Sequence, residues 1–331
     1  MVRRGAIVAV GVLLAAGTSS YPHTPPALVT SAPTVALAAG NDRPDNPDLE
    51  TVRPINGKTA PDPRVIMGAA TTSRVVALTF DLDMDAQMAA AARAGAVWIN
   101  KDALSYLEGH NIHATMFMTG MWAEIYPGVA RELATNPNFE IGDHSYSHPA
   151  FHTPCYRLGG VSRTEQARQI RLAQAAIQRS TGVLPKYFRF PGGCYDRQSL
   201  DLVHAAGLIP VQWNVNSIDA FNAYPQQIVS TVLSEVKPGS IVVMHLHGGA
   251  NAPATGQALR MLTPELEKRG YHFLTVSELL AAGTPIEPVG TREISEFYQP
   301  PPPAQSPPRR TTPPRWCGWV IGPHGRVWVC R

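Results

Sequence analysis

From Arg74 onward the chain alternates short apolar runs with stretches of helical period. Val75 to Phe80 is apolar or Thr throughout and runs into acids, as expected of a strand buried on both faces. A helix is predicted from about Gln87 to Glu108, then a strand at Ala114 to Met118 and a helix from Trp122 to Ala134. The pattern continues with strands at Phe139 to Gly142, Tyr187 to Phe190, Ile209 to Trp213, Ile241 to His245 and His272 to Val276. Helices are expected at Arg163 to Ser180, Gln198 to Ala206, Pro225 to Val236, Gly256 to Arg269 and Glu278 to Ala282. Short apolar strands alternating with helices argue for an α/β fold with a parallel sheet and helices outside it. Seven such units suit a closed barrel as well as a doubly wound sheet.

The flanks read differently. Met1-Val2-Arg3-Arg4 is basic, and the apolar run from Gly5 to Ala16 is too short to span a hydrocarbon core of ~30 Å. Residues 1–20 therefore read as a signal peptide, cleaved near Ala15, Ala16, Gly17 or Ser19, with an uncleaved anchor as the alternative. The expected location is secreted or cell envelope. Residues 21–70 are rich in Pro, Ala and Thr and read as a linker or irregular lead-in. Regularity stops after about residue 288, and 286–315 read as a Pro-rich linker whose stretch Gln299 to Pro314 favours an extended polyproline-type tether. Residues 316–331 carry Gly-Pro-His-Gly, a turn signal centred between Pro323 and His324. Such a turn sets Cys317 opposite Cys330 and Trp319 opposite Trp328, a hairpin with a cross-strand Trp pair. Trp316, Trp319 and Trp328 are three of the chain's six Trp. They read either as a sugar- or wall-contacting patch or as residues that dock on the main domain.

Composition narrows the classes. The 28 basic against 25 acidic residues leave a net charge of +3, which gives no reason to expect a nucleic-acid partner. Four cysteines, an even number, suit an oxidising compartment and allow three pairings. Proximity in sequence favours 317–330 with 155–194; free buried thiols are the alternative.

Reactive groups of an α/β sheet are expected just past the carboxyl ends of its strands. Those ends here read Thr79-Phe80-Asp81-Leu82-Asp83-Met84-Asp85, His144-Ser145-Tyr146-Ser147-His148, Arg189-Phe190-Pro191-Gly192-Gly193, Trp213 to Asp219, and Val243-Met244-His245-Leu246-His247. Two His four apart meet one ion if they share a helical turn, and an Asp from the first strand end adds an oxygen ligand. Three protein ligands plus water is the pattern of a catalytic rather than a structural zinc site. Asp85, His152 and His247 read as bystanders or outer partners.

In these five ordered motifs the chain resembles the polysaccharide deacetylases of carbohydrate esterase family 4, over about Arg74 to Ala282. The resemblance implies a distorted seven-stranded (β/α) barrel for residues 71–285. It also implies metal-dependent hydrolysis of an acetyl group on a glycan of peptidoglycan or chitooligosaccharide type. By the same resemblance Asp81 is the general base. The family's second Asp is Leu82 here, so Asp83 is expected to replace it as a metal ligand beside His144 and His148. Arg189 would hold Asp81, the Gly192 N–H would face the oxyanion, and Asp219 would orient His245, the general acid, with His247 as the second candidate. The family's aromatic wall is Ala220 here, with Trp213 as its substitute. The metal is expected to be Zn2+, with Co2+ or Ni2+ as alternatives. The alternative functions are an O-acetyl glycan esterase and an inactive carbohydrate-binding protein on the same barrel.

Overall fold

A computed structural model describes residues 65–248 and 252–287, and the backbone of 317–322 and 325–330. The expected signal peptide, most of the lead-in and the Pro-rich tether lie outside the described residues. No helix among the described residues is long and apolar enough to cross a membrane.

In chain order the elements are β1 (Gly68–Ala70), β2 (Val75–Leu82), α1 (Ala86–Arg93), α2 (Lys101–Gly109), β3 (Ala114–Met118), α3 (Gly120–Ile125), α4 (Pro127–Thr135), β4 (Phe139–Asp143), α5 (Arg163–Thr181), β5 (Tyr187–Phe188) and α6 (Arg197–Ala205). Then follow β6 (Ile209–Pro210), β7 (Val215–Asn216), α7 (Pro225–Glu235), β8 (Ser240–His245), α8 (Thr255–Lys268), β9 (His272–Phe273), α9 (Val276–Ala282), β10 (Thr284–Ile286), β11 (Cys317–Gly322) and β12 (Gly325–Cys330). The main sheet runs β10-β1-β8-β2-β3-β4-β5-β6, with β7 on β8 and β9 on β2. A bridge from Ile66 to Val211 links the approach to β1 with the chain just past β6. The sheet is mixed: β1 runs antiparallel to β8 and β10, and the other pairs are parallel. It holds ten strands rather than the expected seven, several of them only two or three residues long.

The alternation along β2 sorts its side chains. Val76, Leu78, Phe80 and Leu82 pack under the outer helices with Leu107, Met116 and Leu259. Val75 and Ala77 face the other way, toward Phe117, Tyr187, Val211 and Ile241. With a period of two, Asp81 falls on this second face. All eight residues of β2 are buried. Register then levels the strand ends. Asp81 lies opposite Phe117 on β3 and His245 on β8, and Met118 lies opposite Asp143 on β4.

Several expected elements are cut by local chemistry. The single helix predicted from Gln87 is two: Asp85 caps α1 by accepting the Met88 N–H at 2.7 Å, Gly95 turns left-handed at φ 103°, and Asn100 caps α2. Asp85 is therefore a helix cap. Pro127 ends α3 and opens α4, because it has no N–H to continue the ladder. Pro210 is the last residue of the short β6, having no N–H to give the ladder. The end of the lead-in is not irregular. Val65, Ile66 and Ala69 are buried, the Ile66 N–H donates to Pro210 O at 2.9 Å, and Gly68–Ala70 pairs with Thr284–Ile286. The sheet thus takes residues from both sides of the expected 71–285 span.

β11 and β12 form a separate antiparallel pair in the expected register, Cys317 opposite Cys330 and Trp319 opposite Trp328. The side chains of this hairpin, and so the expected Cys317–Cys330 bridge and Trp patch, lie outside the described residues. The other expected disulfide, Cys155–Cys194, is present, with Cα atoms 5.9 Å apart.

Candidate active site

Asp81 is 4% exposed at the carboxyl end of β2. Its Oδ1 accepts from Arg189 Nη1 at 2.8 Å. Arg189 is fully buried, its guanidinium carbon 4.0 Å from the Phe117 ring centroid and 5.5 Å from that of Trp213. Gly142 makes this layering fit: a Cβ there would come within 2.4 Å of the Phe117 ring. Trp213, the expected substitute for the aromatic wall, thus packs on the arginine that holds Asp81. A buried guanidinium needs a paired charge, and breaking such a pair typically costs ~3–5 kcal/mol.

Asp83 follows two residues later, past the end of β2. Its Oδ1 lies 3.4 Å from His144 Nε2 and 3.5 Å from His148 Nε2, and it is buried with no hydrogen-bond partner. Leu82, between the two acids, is fully buried in the helix-side core. The His pair does not share a helical turn, contrary to expectation. It sits on the loop after β4, where Ser145 (φ 67°) and His148 (φ 61°) are left-handed. These two residues fold the loop so that both rings face Asp83. His144 Nδ1 is 2.8 Å from Arg189 O, which only accepts. In the neutral ring Nδ1 therefore carries the proton, and Nε2 keeps its lone pair.

Asp83, His144 and His148 offer donor atoms that all lie within 4.8 Å of one another. Two imidazoles and a carboxylate, with an unpartnered buried oxygen at their centre, fit a divalent ion of borderline softness. The electrostatics agree. Burial depresses the His144 imidazole, but Asp81 and Asp83 outweigh it and hold the group above its usual value, so the cluster attracts positive charge. Burial takes His148 down to about 4, which leaves it neutral at pH 7.

On the neighbouring strand His245 Nδ1 is 2.7 Å from Asp219 Oδ1. Asp219 is held in turn: its Oδ2 accepts from the His245 N–H at 2.8 Å and from Thr255 Oγ1 at 2.7 Å, and its Oδ1 from Ser217 Oγ at 3.0 Å. Burial works against both charges. It depresses the imidazolium, but Asp219 prevails and raises His245 to about 10. It raises the Asp219 carboxyl, but His245 and Thr255 hold it below the usual range. The pair is an imidazolium and a carboxylate at neutral pH.

Gly192 lies in the turn Pro191–Gly193 at φ 62°. A Cβ there would also come within 2.8 Å of the Cys155 sulfur, so the disulfide and this glycine fit each other. His152 lies instead beside Asp196, its Nδ1 3.3 Å from Oδ2. His247, the second candidate for the acid, faces Asp83, with Nδ1 3.7 Å from Oδ2.

Asp143 was not singled out from the sequence. It is fully buried, its Oδ1 accepts the Ser145 N–H at 2.8 Å, and its Oδ2 has no partner. Burial raises it to about 8, so it is a neutral acid at pH 7. The signal was an acid closing the strand directly before His144. The folded state keeps this proton where the unfolded chain, with a pKa of ~3.9, has lost it. This contribution to stability is full below pH ~4 and declines as pH rises toward about 8. Asp143→Asn in chelator-treated protein is therefore expected to gain stability relative to wild type as pH rises. Urea midpoints at pH 4.5 and 7.5 check it; a constant difference refutes it.

Residues 68–211 match the family model for polysaccharide deacetylase. The chain is 29% identical over 204 residues to a peptidoglycan-N-acetylglucosamine deacetylase of Bacillus cereus, covering 62% of this chain and 67% of that protein. Its fold is similar to the crystal structure of the Bc1960 peptidoglycan N-acetylglucosamine deacetylase in complex with 4-naphthalen-1-yl-N-oxidanyl-benzamide, with TM-score 0.57 and 26% identity over 67% of this chain and 95% of the other. It is also similar to a mutant of BA3943, a CE4 family pseudoenzyme with restored enzymatic activity, with TM-score 0.55 and 26% identity over 66% of this chain and 72% of the other. Five strand ends converge on one buried group of carboxylates and imidazoles, and over residues 68–211 the chain is similar to the polysaccharide deacetylase family.

Proposed function

We propose that the chain is a metal-dependent hydrolase that removes acetyl groups from an N-acetylated glycan of peptidoglycan or chitooligosaccharide type. The observation that carries this reading is the register of β2 against β8. It sets Asp81, held by Arg189, opposite His245, held by Asp219, with the Asp83/His144/His148 group beside them.

Asp83, His144 and His148 would hold a divalent ion, which when bound would supply Lewis acidity toward an acetyl carbonyl and a more acidic water. Zn2+ suits this donor set, as do Co2+ and Ni2+. Asp81 takes the proton of the attacking water, and Arg189 holds its carboxylate in place through the 2.8 Å hydrogen bond to Oδ1. The Gly192 N–H donates to the developing oxyanion, a contact of a kind worth about 3 kcal/mol. His245, protonated, gives its proton to the leaving nitrogen, and Asp219 fixes its ring. An amide nitrogen leaves poorly without that proton. Acetate release from a panel of acetylated glycans, with and without chelator, tests the reading: chelation should abolish release, and no release from any of them would overturn it.

Two observations keep other readings in the test. Ala220 stands where the family has an aromatic wall, which suits an O-acetyl esterase that depends less on its acid. One of the similar structures is an altered form of a pseudoenzyme, so a carbohydrate-binding protein without turnover is the other reading.

Residues 1–20 are proposed as a signal peptide that takes the protein to the cell envelope or outside. The 316–331 hairpin is proposed as a disulfide-stapled glycan contact bearing Trp316, Trp319 and Trp328. Nonreducing peptide mapping should then recover a Cys317–Cys330 link. Truncation at Pro300 should keep acetate release and weaken binding to insoluble glycan; unchanged binding removes the hairpin from substrate contact.

A further inference from the structure

One group at this site has no task in the reaction as described. His247 is 1% exposed, and neither of its ring nitrogens has a hydrogen-bond partner. Leaving a buried polar group unpaired typically costs about 1–3 kcal/mol, so an imidazole in that state calls for a reason. Its surroundings supply one. The ring stands edge-on to His245 at 5.5 Å, and its Nδ1 points to Asp83 Oδ2 at 3.7 Å. The other oxygen, Oδ1, is the one that His144 and His148 approach. Asp83 is thus addressed from two sides: two imidazoles on one oxygen, one on the other.

That division separates His247 from the ligands. It is not among the residues whose donor atoms gather within 4.8 Å of one another. Resting on the reading of Asp83, His144 and His148 as the metal site, we propose that His247 is the positioning residue of the Asp83 carboxylate. Its Nδ1–H, 3.7 Å from Oδ2 and short of a hydrogen bond as the ring stands, would close on that oxygen when the ion is held and keep Oδ1 turned toward it. The need follows from where Asp83 sits. The strand ends at Leu82, so Asp83 is carried by the loop before α1 and lacks the ladder bonds that fix Asp81. A ligating carboxylate commonly takes a hydrogen bond on its second oxygen, and this partner governs how well the first binds. His247 lies on the chain just past β8, whose last residue, His245, is opposite Asp81 in the ladder, so the device is anchored to the same register as the acid and the base.

The test is metal binding, read without turnover. Zn2+ alone is titrated against a chromophoric chelator, and Co2+ alone is followed by its visible absorption, in wild type, His247→Leu, His247→Asn, His247→Gln and Asp83→Ala. His247→Leu should bind ~10–100-fold more weakly and shift the Co2+ spectrum. His247→Asn, whose amide nitrogen stands in for Nδ1, should recover most of the affinity, and His247→Gln, which mimics Nε2, should not. Wild-type affinity and spectrum in His247→Leu overturn the proposal. Should that variant fail to fold, equal affinity of the Asn and Gln variants overturns it. If Asp83→Ala binds as tightly as wild type, the metal site itself is misassigned, and that failure is distinct.

Discussion

Asp83→Ala will lose its divalent ion and, with it, turnover. Wild type should carry about one ion per chain; the variant loses more than the ~10–100-fold that an outer partner is worth, because it removes a ligand outright. What remains is two neutral imidazoles, a poor cage for a doubly charged ion. Lewis-acid help amounts to several kcal/mol at the transition state, so kcat/KM on an N-acetylated glycan should fall by ~10³-fold or more. The result decides whether the displacement of the acid by one position, with Leu82 in the family's usual place, has preserved the site. The geometry argues that it has. Leu82 is fully buried on the helix side, while the Asp83 Oδ1 is within 3.5 Å of both His Nε2 atoms. Equal metal content and equal turnover in the variant would remove Asp83 from the site.

His245→Ala, assayed at saturating metal, will lose ~10²–10⁴-fold in amide hydrolysis, the usual worth of a positioned acid. The loss should be smaller on an O-acetyl ester, whose alcohol leaves more readily than an amine. The pH profile carries the sign. In the proposed mechanism His245 works protonated, and Asp219 raises it to about 10, so the alkaline limb of activity should fall as pH climbs through that value. Asp219→Asn removes the negative charge that sustains the imidazolium, and the alkaline limb should move to lower pH. If His245→Ala keeps amide hydrolysis while His247→Ala loses it at saturating metal, the acid is His247.

What could be read along the chain was what repeats locally. The apolar run of β2 set its burial, and a period of two placed Asp81 on one face and Leu82 on the other without reference to any other strand. The hairpin register at Cys317–Gly322 and Gly325–Cys330 followed from a turn signal four residues long. The five strand-end motifs could be ordered because parallel strands deliver their carboxyl ends to one edge. The helix cut at Gly95 and Asn100 was also written locally, in a left-handed glycine and a capping side chain.

Tertiary structure decided the rest, because it depends on partners far along the chain. His144 and His148 meet through two left-handed residues, a conformation that non-glycine side chains avoid and the surrounding fold must enforce. Arg189 is satisfied by Asp81, 108 residues away, and its place depends on the missing side chain of Gly142 beneath Phe117. The neutral acid at Asp143 exists only because the packed sheet excludes water from it. The β1–β10 edge joins two short segments more than 200 residues apart, neither of which has enough apolar periodicity to announce a strand. Sequence alone thus determined which residues share a strand face; only packing determined which faces meet, because contact between distant segments has no local period to reveal it.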